Sequence, residues 1–292
     1  MSAVTKGLIF IKQANKLAIK EANLRKIASG FILFGLLLAI FFLIPLVLVL
    51  NFINDSFWQM ICFGVVAAVF LSFCFAFAHS YDLGTAAAFD ALERSGMISL
   101  HECRRARRKS WQGALIYGLA YPLLALTRWT PLKVRSTNFS SSRYERTWSK
   151  AHFLLIPIMG IESLKIRAAV VRIKALAVKN LLRFDPQKVK ARLISTSITW
   201  LIIAAGMALG TWLGLLIGKD PFASDLTKLL AVAAGFLSAA VIAVLAIAWQ
   251  AFIRIMLHTS VYRWLHGMED VVDGSVSEPP YMPEILRRAI NN

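Results

Sequence analysis

Hydrophobic and polar positions alternate along this chain in long blocks. Four apolar stretches contain no Asp, Glu, Lys or Arg: residues 31–52, 57–79, 193–218 and 229–253. An α-helix rises about 1.5 Å per residue and must cross roughly 30 Å of hydrocarbon, so about 20 apolar residues are enough to span a bilayer. Each of the four stretches therefore predicts a full transmembrane helix.

Two further apolar segments are shorter. Residues 113–126 and 151–161 would reach only about 21 Å and about 17 Å as helices. Each contains a proline, Pro122 or Pro157, which interrupts or bends a helix. We therefore predict two half-spanning or re-entrant helices, while the alternative that both cross fully stays open.

The basic residues predict the orientation. The first thirty residues carry six lysines and arginines, whereas the connection after the first span carries none. The positive-inside rule then places the N-terminus in the cytoplasm, and four crossings return the C-terminus to the same side. The connector 128–150 also holds six basic residues. It stays cytoplasmic only if the two short segments do not cross.

Two segments have the composition of amphipathic helices that lie in the headgroup region. These are the N-terminal residues 1–30 and, more strongly, residues 164–184. A soluble helix packed on a neighbour is the alternative. Nine cations are the predicted lipid-headgroup residues: Arg104, Arg105, Arg107, Arg108, Lys109, Arg167, Arg172, Lys174 and Lys179.

Small residues recur at every fourth position of the last two spans. Association of helices within hydrocarbon depends on close backbone approach, which small residues permit. Because about ten residues join these spans, we expect antiparallel neighbours whose small faces meet, although the partner helix could belong to another subunit. The predicted packing residues are Gly206, Gly210, Gly214 and Gly218 in one span and Gly235 and Ala239 in the other.

Composition agrees with a membrane protein. The 292 residues are 58% hydrophobic and 17% charged, with a formal net charge of +17. That charge follows the membrane edges, so nucleic-acid binding is not expected. Three cysteines without a CxxC spacing argue against a disulfide framework or a zinc site. We expect no metal and no cofactor.

Sequence motifs of catalysis are missing, so we expect a protein that is not an enzyme. The chain has no Walker loop, GxSxG elbow, GxGxxG or HExxH. Glu162 ends the second short segment. It is either a solvated helix-end residue or a functional carboxylate that faces Arg128.

The predicted fold class is all-α: a polytopic membrane helical bundle of four full transmembrane helices, two half-spanning or re-entrant helices and amphipathic interfacial helices. Residues 1–30 form the basic N-terminal segment, residues 31–264 the membrane domain and residues 265–292 a cytoplasmic tail. The tail is acidic and contains proline. It either docks a cytosolic partner or is an ordered trailing arm.

The order of the segments, with WSKAHFLLIPIMGIESLKIRAAVVRIKAL at residues 148–176, resembles an uncharacterised family of bacterial multi-span membrane proteins with six hydrophobic segments. In that family a short apolar piece ends in a proline, four residues and an acid, here Pro157 and Glu162, before a basic amphipathic helix. This chain departs from the family where polar residues 138–150 precede the fourth segment. The half-spans also resemble those of a bacterial sulfate permease type, without a shared motif. Neither resemblance implies a function.

The resulting expectation is a multi-pass protein of the bacterial cytoplasmic membrane that serves as a scaffold or accessory subunit. Its expected partners are anionic lipids, other membrane subunits or further copies of itself, and a cytosolic protein at the tail. The competing class is a small-solute permease or channel whose half-spans line a vestibule. Its substrate contacts would be Tyr117, Tyr121, Thr127 and Ser163.

Overall fold

The computed structural model describes residues 2–53, 55–129, 152–178, 190–217 and 225–274, with 283 and 287. All the regular structure in these ranges is helical. The described ranges contain eight α-helices: α1 Ala3–Lys20, α2 Ala22–Phe52, α3 Ser56–Ser95, α4 Leu100–Trp129, α5 Leu155–Ile161, α6 Ile166–Val178, α7 Ala191–Ile217 and α8 Asp225–Val272. A short 3₁₀ helix, His152–Leu154, leads into α5.

In the part of the chain that the structure describes, four helices are long and apolar enough to cross a membrane. They are Ala22–Val49, Phe57–Ser95, Ala191–Ile217 and Leu229–Val272. Many of their large apolar side chains are exposed, as lipid-facing positions must be, because the acyl chains take the place of a protein core. The protein is thus a helical membrane protein, and its described residues include four candidate spans.

Contacts divide the chain into two compact units. The first unit comprises Met1–Ala28, Ala76–Ser195 and Ala251–Asn292, and the second comprises Ser29–Phe75 and Thr196–Gln250. Helices α3 and α8 contribute residues to both units.

The second unit is a bundle whose helices approach through small residues. A Cβ added to Gly210 would collide with the carbonyl oxygen of Gly235 and lie 3.0 Å from the Ala239 Cβ. One added to Gly206 would lie 2.7 Å from the Ile242 Cγ2. Backbone contact this close is available only to glycine, so α7 and α8 pack directly against each other.

Polar and aromatic side chains add specific contacts to this bundle. Gln250 donates from Nε2 to the hydroxyl oxygen of Thr196 at 2.8 Å. Phe70 packs edge-on against both Phe42 and Phe236, with ring centroids 5.6 and 5.5 Å apart. Interhelical contacts of these kinds fix the register of helices that the hydrophobic effect alone does not align.

The first unit is built around the second half of α3. Almost every residue from Ala76 to Ala91 is buried, including Asp82 and Asp90. The short helix α5 packs directly on α3, since a Cβ on Gly160 would lie 2.7 Å from the Leu83 carbonyl oxygen. The first helix, α1, buries Phe10 completely.

Several helix boundaries differ from the sequence prediction. The segment 113–126 is not a short helix of its own, because α4 runs for 30 residues from the basic stretch through Pro122. Helix α2 likewise continues through Pro45. A membrane helix tolerates proline where its surroundings satisfy the freed carbonyl. Neither the change in polarity nor the proline therefore ends the helix.

Helices α3 and α8 extend well beyond the predicted spans 57–79 and 229–253. Residues 265–272, assigned to the tail by composition, are the last two turns of α8. The reason is that the charged residues in these extensions have partners within the first unit, so helical backbone continues where hydropathy falls. The predicted interfacial helix 164–184 begins at Ile166 and is described to Val178.

Candidate anion-binding groove and buried ion pairs

A groove on the first unit gathers arginines and aromatic rings. Its volume is about 540 Å³, within the usual range of ligand sites. Two elements build it, the middle of α3 and the first half of α4. Its lining residues are Phe77 and Ser80 from α3 and Arg104, Arg107, Arg108 and Trp111 from α4.

The spacing of the α4 residues explains why they share the groove. Positions 104, 107, 108 and 111 differ by three and four residues and so lie on one face of a helix. Arg107 is fixed further by its guanidinium, which stacks on the Tyr81 ring with the Cζ atom 3.6 Å from the centroid. Planar stacking of this kind suits arginine and would not suit lysine.

The groove is strongly electropositive. Within the described ranges, no carboxylate makes an ion pair with Arg104, Arg107 or Arg108. Three guanidinium groups that converge without counter-charge form a site for an anion, and their fork geometry matches phosphate oxygens. Phe77 and Trp111 add an apolar wall beside these donors.

The structure thus brings together three of the five predicted lipid-binding residues of α4. Arg105 and Lys109 are exposed but do not line the groove. On α6, Arg167 and Lys174 are exposed, whereas Ala169, Ile173 and Leu176 are buried. The described part of α6 therefore packs on protein with one face. Lys179 lies outside the described residues.

Arg172 differs from the other predicted lipid-binding residues because carboxylates within the protein hold it. It donates to Glu269 at 2.9 and 2.5 Å and from Nε to Glu162 at 3.1 Å. The bonds to Glu269 and then to Glu162 raise the pKa of Arg172 above its ordinary value. This arginine joins α6 to α8 and to the turn after α5.

Glu162 is accordingly not a freely solvated helix end. Its carboxylate also accepts a hydrogen bond from the hydroxyl group of Tyr262. The chain turns sharply at the next residue, Ser163, whose φ is 52°. Pro157, which precedes Glu162 in α5, is buried. Arg128, the predicted partner of Glu162, belongs to α4. In the described residues, the groups that contact the Glu162 carboxylate are the Arg172 guanidinium and the Tyr262 hydroxyl.

A second buried cluster joins α3 to α8. Asp82 accepts a hydrogen bond from Arg254 at 2.5 Å, and the same arginine donates to the Nδ1 atom of His79 at 3.0 Å. The same nitrogen lies 3.2 Å from the Asp82 carboxylate, so the three side chains form one compact cluster. A cavity of about 20 Å³ adjoins these groups, room for about one water molecule. Arg192, Tyr117 and His258 also line it.

A third ion cluster pairs Asp90 of α3 with arginines on two helices. Arg94 lies 2.6 Å from its carboxylate, and Arg263 of α8 donates to the carboxylate at 3.1 Å and to the Asp90 carbonyl at 2.7 Å. In the described ranges, three carboxylate–arginine clusters thus hold the C-terminal part of α8, from Ala251 onward, within the first unit.

These buried clusters were missed by the sequence analysis, which ended both spans where charges began. A signal was present. Along α8 the polar residues Arg254, His258, Tyr262, His266 and Glu269 recur at steps of four, four, four and three. Such a stripe predicts one polar helix face. Its partners in α3, Asp82 and Asp90, are eight residues apart and so also share one helix face.

The predicted helix-packing residues lie in the second unit. Gly206, Gly210 and Gly214 of α7 all approach α8, and Gly214 would place a Cβ 3.2 Å from the Ala231 carbonyl oxygen. Gly235 and Ala239 both face Gly210. Gly218 lies outside the described residues.

Histidine, cysteine and acidic side chains do not gather for a metal in the described ranges. No group of three or more such residues there is placed to hold an ion. Cys103 is buried at the contact between α3 and α4, and burial raises the pKa of its thiol to about 11. A thiol with so high a pKa is a packing group and a poor nucleophile at neutral pH.

The fold therefore defines a class, the polytopic helical membrane protein, with an arginine groove and buried ion pairs. Comparison adds no family: no family model matches the chain, and neither the curated proteins nor the solved structures contain a match. The resemblance to a six-segment bacterial family rests on segment order and on Pro157 and Glu162 alone.

Proposed function

We propose that this protein is a non-enzymatic integral membrane subunit, a scaffold or accessory component, which binds anionic phospholipid through the arginine groove. The observation that carries the proposal is the convergence of Arg104, Arg107 and Arg108 beside Phe77 and Trp111. Guanidinium groups recognise the phosphate, and the aromatic side chains accept the adjoining glycerol and acyl chain. A soluble anion would need only the guanidinium groups and not the aromatic side chains.

The membrane assignment extends to orientation. We place both termini on the cytoplasmic side of a bacterial inner membrane, since the basic stretch that lines the groove lies between the second apolar segment and the first short one. Cytoplasmic leaflets are rich in anionic headgroups, which attract basic residues near the surface. The short helix α5 and the apolar part of α4 remain half-spanning or re-entrant segments in this proposal.

The scaffold role is supported by how the short helix is packed. All of Leu155 to Gly160 is buried, and Gly160 touches the backbone of α3. A segment that lines a vestibule would instead present side chains to water. The exposed small residue Gly64 on α3 leaves part of the second unit open to a further membrane helix.

Two double variants, each of which removes two positive charges, test the lipid site. Arg104→Gln with Arg108→Gln removes two groove cations, whereas Arg105→Gln with Lys109→Gln removes two cations of the same helix outside the groove. In nanodiscs, phosphatidylglycerol should raise the unfolding temperature of the wild type and of the second variant but not of the first. Equal responses of the two variants would contradict a specific site.

A small-solute permease or channel is the second candidate. The observation in its favour is the buried cavity in the first unit, because the charged side chains of Asp82 and Arg254 line it together with His79. Flux of small anions and cations into proteoliposomes tests it. Transport that Arg254→Gln abolishes, while the variant stays folded, would favour the permease over the scaffold.

A further inference from the structure

The arginine groove carries more positive charge than one ordinary phospholipid neutralises. A phosphodiester headgroup such as that of phosphatidylglycerol bears a single negative charge. The groove presents three guanidinium groups, and in the described part of the chain none of them is ion-paired to an acid. One phosphodiester would leave two cations beside Phe77 and Trp111 without compensation.

The three arginines line the groove from successive turns of α4. Arg107 is held against the Tyr81 ring, which fixes its guanidinium on one side of the groove. Arg104 and Arg108 are four residues apart, which is about 6 Å along the helix axis. Two phosphates joined through a three-carbon bridge are separated by a comparable distance, so each could occupy its own arginine site.

The remaining lining fits the other parts of such a ligand. Ser80 is 2% exposed and supplies a hydroxyl group that can donate to a phosphate or to the bridging glycerol. Trp111 is 42% exposed and lies one turn beyond Arg107 and Arg108 on the same helix face. A volume of about 540 Å³ accepts a headgroup with two phosphates, with the beginning of the acyl chains against the aromatic wall of Phe77 and Trp111.

We propose that the groove selects a lipid whose headgroup contains two phosphates linked by glycerol, the chemistry of a diphosphatidylglycerol. This inference rests on the proposed lipid-binding function and specifies the ligand of that site. The aromatic lining commits the site to the lipid and not to a free bisphosphate.

Native mass spectrometry of the full-length protein in detergent tests the selection. Equal amounts of diphosphatidylglycerol and phosphatidylglycerol compete for the protein, and the expected preference is about tenfold for the two-phosphate lipid, because a second charge-assisted phosphate contact is gained. Arg104→Gln with Arg108→Gln should remove this preference. Arg105→Gln with Lys109→Gln should keep it.

The outcomes separate this inference from the broader proposal. Equal binding of the two lipids, lost in the groove variant, would overturn the selectivity and leave an anionic-lipid site. Equal binding that the groove variant retains would overturn both. Displacement of the lipid by pyrophosphate at equal concentration would overturn the assignment to a lipid.

Arg107→Lys keeps the charge and removes the planar stacking on Tyr81. It serves as a conservative variant if the double substitution fails to fold. We expect a preference reduced by about threefold, since lysine acts as a point charge without the paired donors. An unchanged preference would contradict the role of Arg107 in fixing the second phosphate.

Discussion

Single residues of the first unit show why charge can persist inside a membrane protein. Asp82 is 3% exposed and His79 is 6% exposed, yet both have partners in Arg254. Burial of an unpaired carboxylate would cost more free energy than the other contacts of the chain could offset, whereas a hydrogen-bonded ion pair is tolerated. The pairs therefore specify how α3 meets α8 as much as they stabilise that contact.

Removing one member of the Asp82–Arg254 pair should be strongly destabilising. Asp82→Asn or Arg254→Gln alone should lower the free energy of unfolding by about 3 kcal/mol, since the remaining charge is buried without its partner. The double variant should lose less than the sum of the two single variants, by about 1–3 kcal/mol. Unfolding in mixed micelles measures all three.

Arg94→Gln is the control for this cycle. Arg94 also pairs with an aspartate, but its side chain is 61% exposed, and a surface pair contributes at most about 1 kcal/mol. If Arg254→Gln were no more harmful than Arg94→Gln, the buried pair would not hold the helices in the way described.

Cys103 provides a pH-dependent test of burial between α3 and α4. Its thiol pKa is raised from 9.0 to about 11, so below pH 9 the neutral thiol favours the folded state. That contribution to stability is lost as the pH rises from 9 to 11.

In a protein with Cys62→Ala and Cys74→Ala, we expect maleimide labelling of Cys103 to be slow at pH 7.5 and fast after denaturation. Rapid labelling of the folded protein would contradict the packing.

At the scale of helices, close approach of α7 and α8 depends on Gly210. Its backbone lies against that of Gly235, where any side chain would collide with the carbonyl oxygen. Gly210→Leu should therefore separate the two helices and cost at least about 2 kcal/mol, the scale of overpacking in a dense interior. Loss of thermal stability in detergent is the measurement.

Gly64→Leu supplies the matched control within the same unit. Gly64 belongs to a candidate span but has no atom within 4 Å of the position that a Cβ would take. The monomer should retain its stability after this change. If Gly64→Leu proved as damaging as Gly210→Leu, helix propensity or insertion would explain both effects, and close packing would not.

The helices differ in how far the sequence predicts them. Hydropathy located the four apolar spans because uninterrupted nonpolar residues are obligatory where no water reaches the backbone. It placed the ends of α3 and α8 too early, since Asp90 and Glu269 satisfy their charge through partners that are far away in sequence. The arginine face of α4 was visible as a basic run. Its groove also needs Phe77 and Ser80, which come from another helix and carry no sequence signal of their own.

Across the whole molecule, the two short apolar segments decide the topology. Residues 130–150 of the connector between them lie outside the described residues, so the side of the membrane on which the connector lies is a prediction from charge. Basic residues resist translocation, and this connector with its flanks is rich in them. The half-span proposal requires it to be cytoplasmic, whereas two complete crossings would place it in the periplasm.

A single cysteine at Ser140 distinguishes these topologies. In a background without Cys62, Cys74 and Cys103, Ser140→Cys should resist a membrane-impermeant maleimide added to whole cells and react once the inner membrane is opened. A cysteine at Asp55, in the connection between the first two spans, should react in whole cells, because that connection carries no basic residue and follows a single crossing. Labelling of both sites from outside would establish two extra crossings. It would also separate the connector from the cytoplasmic leaflet on which the proposed lipid site depends.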